Sequence, residues 1–187
     1  MAEQNFALFE TAIGCCGIVW NARGLIGVQL PERDQAATRA RVRKRYAMAE
    51  EAPPPPDVKE AIDGMTALLR GEPRDLSGVV IDNDGTPEFN AMVYAITRKI
   101  PPGKTMTYGE IAERLGDKAL SRAVGVALGQ NPCPIVMPCH RVLAAGGKSG
   151  GFSASGGVVT KLRLLSIENA QPGGPTLFDK LPLQARR

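Results

Sequence analysis

The sequence predicts a mixed α/β protein of the α+β type, in which a small N-terminal β-sheet with helices precedes a mainly helical C-terminal domain. Short apolar runs separated by turn-forming residues open the chain, as in a β-meander. Helical hydrophobic spacing dominates the second half. Between them, residues 83–87 form a cluster of turn formers, Asn-Asp-Gly-Thr-Pro. We therefore expect domains at residues 1–86 and 87–169, and a tail at 170–187.

The N-terminal elements are predicted from short apolar runs and from helical spacing. Strands are expected at residues 6–10, 18–20 and 25–30, with a further candidate at 77–81. Helices are expected at about 33–48 and 58–70, on either side of the prolines at 53–56, which interrupt regular structure. This order predicts a three-stranded meander followed by two helices.

The C-terminal half contains a helix-turn-helix pattern after a first helix at residues 87–100. Thr107 and Glu110 have the spacing of a capping box, in which each side chain satisfies an orphan amide of the first turn. A short helix should therefore start at Thr107 and end before Gly116. A second helix is expected from about residue 117 to Gly129.

The second helix of this pattern has two different faces. Its apolar face consists of Leu120, Val124, Ala127 and Leu128. On the opposite face, Arg122 heads a stripe of small residues that includes Gly125 and Gly129. Glycine inside a helix costs about 1 kcal/mol relative to alanine. Close approach of the helix backbone to a bulky partner such as a DNA groove would explain why glycines are present despite this cost. Tight packing against another helix is the alternative explanation.

Composition excludes several classes of protein. No segment approaches the roughly 20 apolar residues that span a bilayer, so we expect no membrane partner. Four cysteines and one histidine suit neither a disulfide framework nor a zinc site, so we expect free thiols, no metal and no cofactor. Residues 1–12 carry two acids and no basic cluster, unlike a secretion signal, so we expect a cytoplasmic location. A monomer is expected.

The charge of the chain gives only weak evidence about partners. A net charge of +4 suits a polyanion, because each neutralised phosphate releases a condensed counterion. The densest basic run, at residues 39–45, has a helical pattern and fits an ordinary solvated face.

The strongest chemical signal lies at residues 131–143, where three prolines stiffen a segment that places Cys139 beside His140, the only histidine. A free cysteine has a pKa of about 8.5, so it needs a base or a positive environment to react at neutral pH. We expect His140 to reach Cys139 through a bridging water, oriented by a carboxylate for which Glu168 is the candidate. A structural histidine and a solvated helix-end acid are the alternatives for His140 and Glu168. The remaining cysteines fit small buried hydrophobic residues.

The segment Pro138-Cys139-His140-Arg141-Val142, preceded by Asn131-Pro132 and Pro134-Ile135, resembles the active-site signature of the O6-alkylguanine-DNA alkyltransferases, or methylated-DNA–protein-cysteine methyltransferases. The similarity continues through residues 100–103, 107–112 and 122–125 and covers the chain after Pro87. It implies a ribonuclease H-like N-terminal domain and a winged helix-turn-helix-like C-terminal domain. It further implies DNA repair without a cofactor, by stoichiometric transfer of a methyl or alkyl group from O6 of a flipped guanine in double-stranded DNA to Cys139.

The resemblance also implies roles for individual residues. Cys139 would accept the alkyl group after His140, a water and Glu168 deprotonate it, and Asn131 would brace the turn. Tyr108 would donate a hydrogen bond to the departing purine. Arg122 would enter the duplex through the minor groove and fill the vacated stack. The other DNA- or substrate-contacting positions implied are Ala123, Gly125, Pro134, Met137, Arg141, Phe152 and Ser153.

The sequence departs from the family pattern in the glycine-rich loop at residues 150–157. This loop is longer than in the human homologue, and Phe152 stands where a tyrosine is usual. Phe152 can stack on a base but cannot donate a hydroxyl hydrogen bond, which leaves Ser153 and nearby amides to contact O6. A flexible surface turn is the alternative interpretation of the loop.

Two other functions compete with alkyl transfer. A non-enzymatic lesion-binding protein would keep the fold and the inserted arginine but lack the reactive cysteine, which Cys139 argues against. A cysteine hydrolase usually takes its base from a distant histidine, and this chain has only His140.

Overall fold

The computed structural model describes residues 3–170, which fall into two compact units. The first contains the chain up to Asp84 together with Pro132–Val136, and the second contains Gly85–Asn131 and the chain from Met137 onward. Apart from Ala170, the predicted tail at 170–187 lies outside the described residues. No helix within residues 3–170 is long and apolar enough to cross a membrane.

The first unit is built on a four-stranded sheet in the order β3-β2-β1-β4. The strands are β1 (Gln4–Thr11), β2 (Gly14–Asn21), β3 (Gly24–Gln29) and β4 (Ala49–Glu51). The first three pair antiparallel, which confirms the predicted meander. β4 was not predicted and pairs parallel with β1. The candidate strand at 77–81 is wrong, because only one bridge forms there, between Leu25 and Ile81.

Two helices complete this unit, α1 (Gln35–Arg45) and α2 (Pro56–Leu69). The Asp34 side chain caps α1 by accepting a hydrogen bond from the Ala37 amide at 2.7 Å. Val42 of α1 packs with Phe6 and Val19 of the sheet in a fully buried cluster. The β3 strand also holds the segment Pro132–Val136, since the Val28 amide donates to the Pro132 carbonyl at 2.9 Å.

The second unit is mainly helical. Its elements are α3 (Glu88–Thr97), β5 (Met106–Thr107), α4 (Tyr108–Arg114), α5 (Ser121–Gly129), β6 (Val142–Leu143) and α6 (Gly157–Ile167). Two single 3₁₀ turns matter for the site, Lys118–Leu120 before α5 and Cys139–Arg141 before β6. The short strands β5 and β6 pair parallel to each other.

The helix-turn-helix pattern is confirmed in α4 and α5. Thr107 and Glu110 form both hydrogen bonds of the capping box that starts α4. On α5, Val124, Ala127 and Leu128 are buried as expected. Tyr94 of α3 fixes the end of α5, because its hydroxyl donates to the Ala127 carbonyl at 2.9 Å. The opposite face of α5 is thereby held toward solvent.

Candidate active site

Cys139 lies on a tight turn whose backbone is set by proline. Pro138 has φ −79° and ψ 61°, and the Cys139 amide donates to the Met137 carbonyl at 2.7 Å across it. This is the geometry of an inverse γ-turn. The chain then enters the 3₁₀ turn, where the Arg141 amide donates to the Pro138 carbonyl at 2.9 Å. These two hydrogen bonds fix the backbone at Cys139 and so restrict the direction of its thiol. Cys139 is 9% exposed.

Asn131 joins the two ends of this turn. Its Nδ2 donates one hydrogen bond to the Met137 carbonyl at 2.8 Å and another to Sγ of Cys139 at 3.2 Å. A donor aimed at sulfur favours the thiolate over the thiol. Asn131 therefore both braces the turn and lowers the cost of ionising Cys139.

His140 and Arg141 converge on one buried carboxylate. His140 Nε2 lies 2.9 Å from Glu168 Oε1. The Arg141 guanidinium holds both oxygens, with Nη2 donating to Oε1 at 2.7 Å and Nε donating to Oε2 at 2.8 Å. The Glu168 side chain is 4% exposed. A third Arg141 bond, from Nη1 to the Ile100 carbonyl at 2.6 Å, completes the cluster.

The charge states in this cluster follow from burial and from its partners. Burial alone would raise the pKa of Glu168, but the hydrogen bonds and charges of His140 and Arg141 outweigh it and bring that pKa to about 2. Burial, together with the charges of Arg141 and Lys161, lowers the pKa of His140 despite the opposing hydrogen bond and charge of Glu168. An ionised Glu168 beside a neutral imidazole requires the proton on Nε2. Nδ1 then has a free lone pair, and it has no hydrogen-bond partner among the described residues.

A buried lysine also lies near Cys139. Lys161 of α6 is fully buried, and its Nζ donates to the Val142 carbonyl at 2.5 Å and to the Gly151 carbonyl at 3.3 Å. Nζ also lies 3.5 Å from the Tyr108 hydroxyl. Burial lowers the pKa of Lys161 to about 8, against the attraction of Cys139. Burial likewise raises the pKa of Cys139, which the Asn131 hydrogen bond and the Lys161 charge offset only in part.

The thiol opens into a pocket of about 590 Å³ between α4, α5 and the glycine-rich loop. Tyr108, Arg122, Gly125, Cys139, Phe152 and Ser153 are among its lining residues. Its volume is in the range of small-molecule sites. Arg122 is exposed at the rim, whereas Tyr108 is partly buried.

The glycine-rich loop is anchored on both sides of this pocket. The Ser153 hydroxyl donates to the Gly129 carbonyl at the end of α5 at 3.0 Å, and Lys161 holds the Gly151 carbonyl. Gly150 has φ +68°, and an added Cβ would lie 2.9 Å from the Tyr108 ring. Only glycine allows this approach. The loop thus forms a wall of the pocket that is hydrogen-bonded to α5 and to Lys161.

Metal ligation is not supported by the geometry of the described residues. Within residues 3–170 no group of three or more His, Cys, Asp or Glu side chains is placed to hold a metal ion. None of the four cysteines forms a disulfide, and all four are buried.

Comparison with known proteins gives the family. The family model described as 6-O-methylguanine DNA methyltransferase, DNA binding domain, matches residues 88–170. The methylated-DNA–protein-cysteine methyltransferase of Mycobacterium bovis is 41% identical over 68% of this chain and 75% of its own length. The protein of that name from Methanosarcina acetivorans is 34% identical over 88% of this chain and 98% of its own. The chain belongs to the methylated-DNA–protein-cysteine methyltransferase family.

A solved structure agrees with this assignment. The crystal structure of Mycobacterium tuberculosis OGT in complex with DNA matches with a TM-score of 0.73 and 30% identity, covering 89% of this chain and 94% of the other. The predicted fold class, a small N-terminal sheet with helices and a helical C-terminal part, is therefore confirmed as that of the methyltransferase family.

The structure separates the predicted site residues into three groups. The first group is Cys139 with its hydrogen-bond partner Asn131, and the adjacent His140 with its partner Glu168. Tyr108, Arg122, Gly125, Phe152 and Ser153 line the pocket that opens onto Cys139. Ala123 is exposed on α5 beside that lining, and Pro134 and Met137 are buried in the segment before Cys139.

Arg141 requires a correction, because the resemblance implied a DNA- or substrate-contacting role. Its side chain is 6% exposed, and its guanidinium is fully engaged with Glu168 and the Ile100 carbonyl. Leaving those partners for a phosphate would strand a buried carboxylate beside a neutral histidine, which is strongly unfavourable. Arg141 instead fixes Glu168.

Lys161 is the site residue that the sequence did not reveal for this methyltransferase. A lysine in an amphipathic helix normally keeps its charge in water. One feature of the sequence could have indicated that Lys161 is buried, namely its position among apolar residues in Lys161-Leu-Arg-Leu-Leu. That spacing puts Lys161, Leu164 and Leu165 on one face, and all three are buried.

Proposed function

We propose that this protein repairs alkylated DNA by transferring a methyl or alkyl group from O6 of guanine to its own Cys139. The observation that carries the proposal is a thiol directed into an open pocket, with an Asn131 hydrogen bond on sulfur and a His140–Glu168 pair directly behind it. The family relationship gives the substrate class. No cofactor takes part, since the alkyl carbon is already activated by its bond to O6.

The chemical step begins with the thiol proton. It passes from Cys139 through a bridging water to Nδ1 of His140, whose Nε2–H is held by Glu168. The resulting imidazolium is stabilised by the ionised Glu168, as the carboxylate of a catalytic triad stabilises its histidine. Asn131 and the buried ammonium of Lys161 stabilise the thiolate until it reacts.

Sγ then attacks the alkyl carbon, forming a C–S bond as the C–O6 bond breaks. The electron pair of that bond stays on guanine, which takes up a proton from Tyr108 and remains in the DNA as the normal base. Lys161, 3.5 Å from the Tyr108 hydroxyl, is placed to return a proton to the phenolate. Because a thioether sulfur is a poor leaving group, the thiolate is not regenerated and each molecule reacts once.

Access to O6 requires the guanine to leave the duplex. Flipping costs a few kcal/mol in lost stacking, which an inserted side chain partly recovers. Arg122 is the exposed cation at the pocket rim and would occupy the vacated stack from the minor groove. Gly125 and Gly129 on the same face of α5 leave room for the backbone of the DNA. Contacts with the DNA phosphates supply affinity that does not depend on base sequence, which suits the repair of lesions in any sequence context.

Three further statements complete the proposal. Residues 87–169 act as the DNA-binding and alkyl-transfer domain, supported by the family model over residues 88–170. The protein works as a monomer, because one molecule contains every group that the reaction needs. It works in the cytoplasm, where a reducing environment keeps thiols such as those of its four cysteines reduced.

The test is a mass measurement after reaction with a duplex that contains a single O6-methylguanine. The protein should gain one methyl group, located on the peptide that contains Cys139, and excess DNA should not increase this number. Removal of several methyl groups per protein molecule would contradict the single-turnover scheme. A methyl group on any other cysteine would contradict the assignment of the nucleophile.

A further inference from the structure

Helix α1 of the N-terminal unit concentrates positive charge in a way that its own unit does not require. Its sequence, Gln-Ala-Ala-Thr-Arg-Ala-Arg-Val-Arg-Lys-Arg, contains five basic side chains and no acidic one. Residues 1–84 as a whole contain 10 basic and 13 acidic side chains, so this part of the chain is acidic overall. Half of the basic side chains of an acidic segment are therefore concentrated on one helix.

Two of the five have a structural explanation. The Arg39 guanidinium donates to both carboxylate oxygens of Glu51 in β4, each at 3.1 Å. Arg43 reaches the same carboxylate at 3.8 Å and lies 5.9 Å from the centre of the Phe6 ring. Both side chains help to hold α1 on the sheet, which accounts for their presence.

The other three, Arg41, Lys44 and Arg45, form what we call the basic face. All three are exposed, and their spacing of i, i+3 and i+4 places them on one side of the helix. Arg45 lies over the Tyr46 ring at 5.4 Å. Within residues 3–170 none of the three forms an ion pair with an acidic side chain. The neighbours one turn earlier, Ala37 and Ala40, are uncharged and small.

Helix stability does not explain this arrangement well. Cations in the last turn interact favourably with the helix dipole, which covers Lys44 and Arg45. Arg41 lies before that turn, and like charges at i, i+3 and i+4 repel one another. A face made of unpaired guanidinium and ammonium groups beside small residues is instead suited to an extended anion, because arginine binds phosphate oxygens in a bidentate manner.

We propose that the basic face binds the phosphodiester backbone of duplex DNA, as a contact surface in addition to the helix-turn-helix. The inference rests on the proposed function for the identity of the polyanion. Its contacts are with phosphates only, so they add affinity equally for damaged and undamaged DNA. They take no part in the chemistry at Cys139.

The test compares two triple variants by the salt dependence of binding to an undamaged duplex, measured by fluorescence anisotropy. One variant is Arg41→Ala, Lys44→Ala, Arg45→Ala. The matched control is Lys59→Ala, Arg70→Ala, Arg74→Ala, which removes the same charge from exposed positions of the same unit. Each phosphate contact contributes about 0.9 to the slope of log K against log salt, so loss of three contacts should flatten the slope by up to about 2.7.

The expected result is a flatter slope and weaker binding for the basic-face variant, with the control close to the wild type. Equal slopes for the two variants would overturn the proposal. Alanine favours helix, so α1 should persist in the variant, and a glutamine triple at the same positions should give the same slope. All proteins are also reacted with free O6-benzylguanine, where the wild type and both variants should transfer the group at one rate. Failure of the wild type to take up a methyl group from a duplex containing O6-methylguanine would contradict the proposed function itself, independently of the slopes.

Discussion

Replacing Glu168 by glutamine tests whether the buried ion cluster holds the active-site turn together. Glutamine keeps the size of the side chain but removes its charge and presents an NH₂ group to partners that are themselves donors. The Arg141 guanidinium, now bonded to both carboxylate oxygens at 2.7 and 2.8 Å, would remain buried without a counter-charge. Breaking a buried pair in this way costs about 3–5 kcal/mol of unfolding free energy.

The depressed pKa of Glu168 predicts how the same interaction depends on pH. The pKa of Glu168 in the folded protein is about 2, against an ordinary value of 4.5. Because the folded pKa is depressed, the stabilisation is complete above about pH 4.5 and is lost as the pH falls toward 2. Each unit of pKa difference is worth 1.36 kcal/mol, so the carboxylate contributes roughly 3 kcal/mol at neutral pH.

The assay is urea denaturation followed by circular dichroism at pH 7 and at several values down to pH 3. Glu113→Gln is the control, since Glu113 forms an exposed pair with Lys118 at 3.2 Å whose loss should cost less than about 1 kcal/mol. Glu168→Gln should be less stable than the control by about 3 kcal/mol at pH 7, and this gap should narrow on acidification. Equal stability of the two variants at pH 7 would refute the reasoning.

Two further predictions concern the reaction. Arg122→Ala should slow repair in duplex DNA by at least about tenfold but leave reaction with free O6-benzylguanine unchanged, because no base is flipped from the free substrate; equal losses would remove the inserted-arginine assignment. Lys161→Met should slow transfer from free O6-benzylguanine by about tenfold or more, since the thiolate of Cys139 loses a nearby positive charge. In the wild type, the acceleration that the Lys161 charge provides should decline above about pH 8, where Lys161 loses its proton. The rate–pH profile of the wild type should show this decline, and the profile of Lys161→Met should not.

The N-terminal sheet shows how far local sequence patterns predict a fold. Strands β1 to β3 are marked by apolar runs with turn formers between them, and all three were predicted. β4 consists of Ala-Glu-Glu and is a strand only because β1 offers it parallel hydrogen bonds. Such pairing is non-local and leaves no periodicity to detect. The apolar run at 77–81 has the local pattern of a strand but does not form one, because only a single bridge, between Leu25 and Ile81, pairs it with a neighbouring strand.

In the active site, residue identity was predictable and charge state was not. The chemistry of Cys139 and His140 follows from their types and from the proline frame. The tautomer of His140 depends on Glu168, which is 28 residues away in the chain. The burial of Arg141 and Lys161 depends on packing between elements, whereas both side-chain types are usually exposed. A motif therefore pointed to Cys139 as the candidate nucleophile, and only the three-dimensional structure showed which cations lie buried near it.

The most direct test of the account is whether Cys139→Ala separates lesion recognition from alkyl transfer. The substitution removes only the sulfur from a thiol that is 9% exposed, so the fold and the pocket should persist. The variant should still bind a duplex containing O6-methylguanine, and no methyl group should leave the DNA even with a large excess of protein. Removal of methyl groups by Cys139→Ala at the wild-type rate would contradict the central claim that this sulfur is the acceptor.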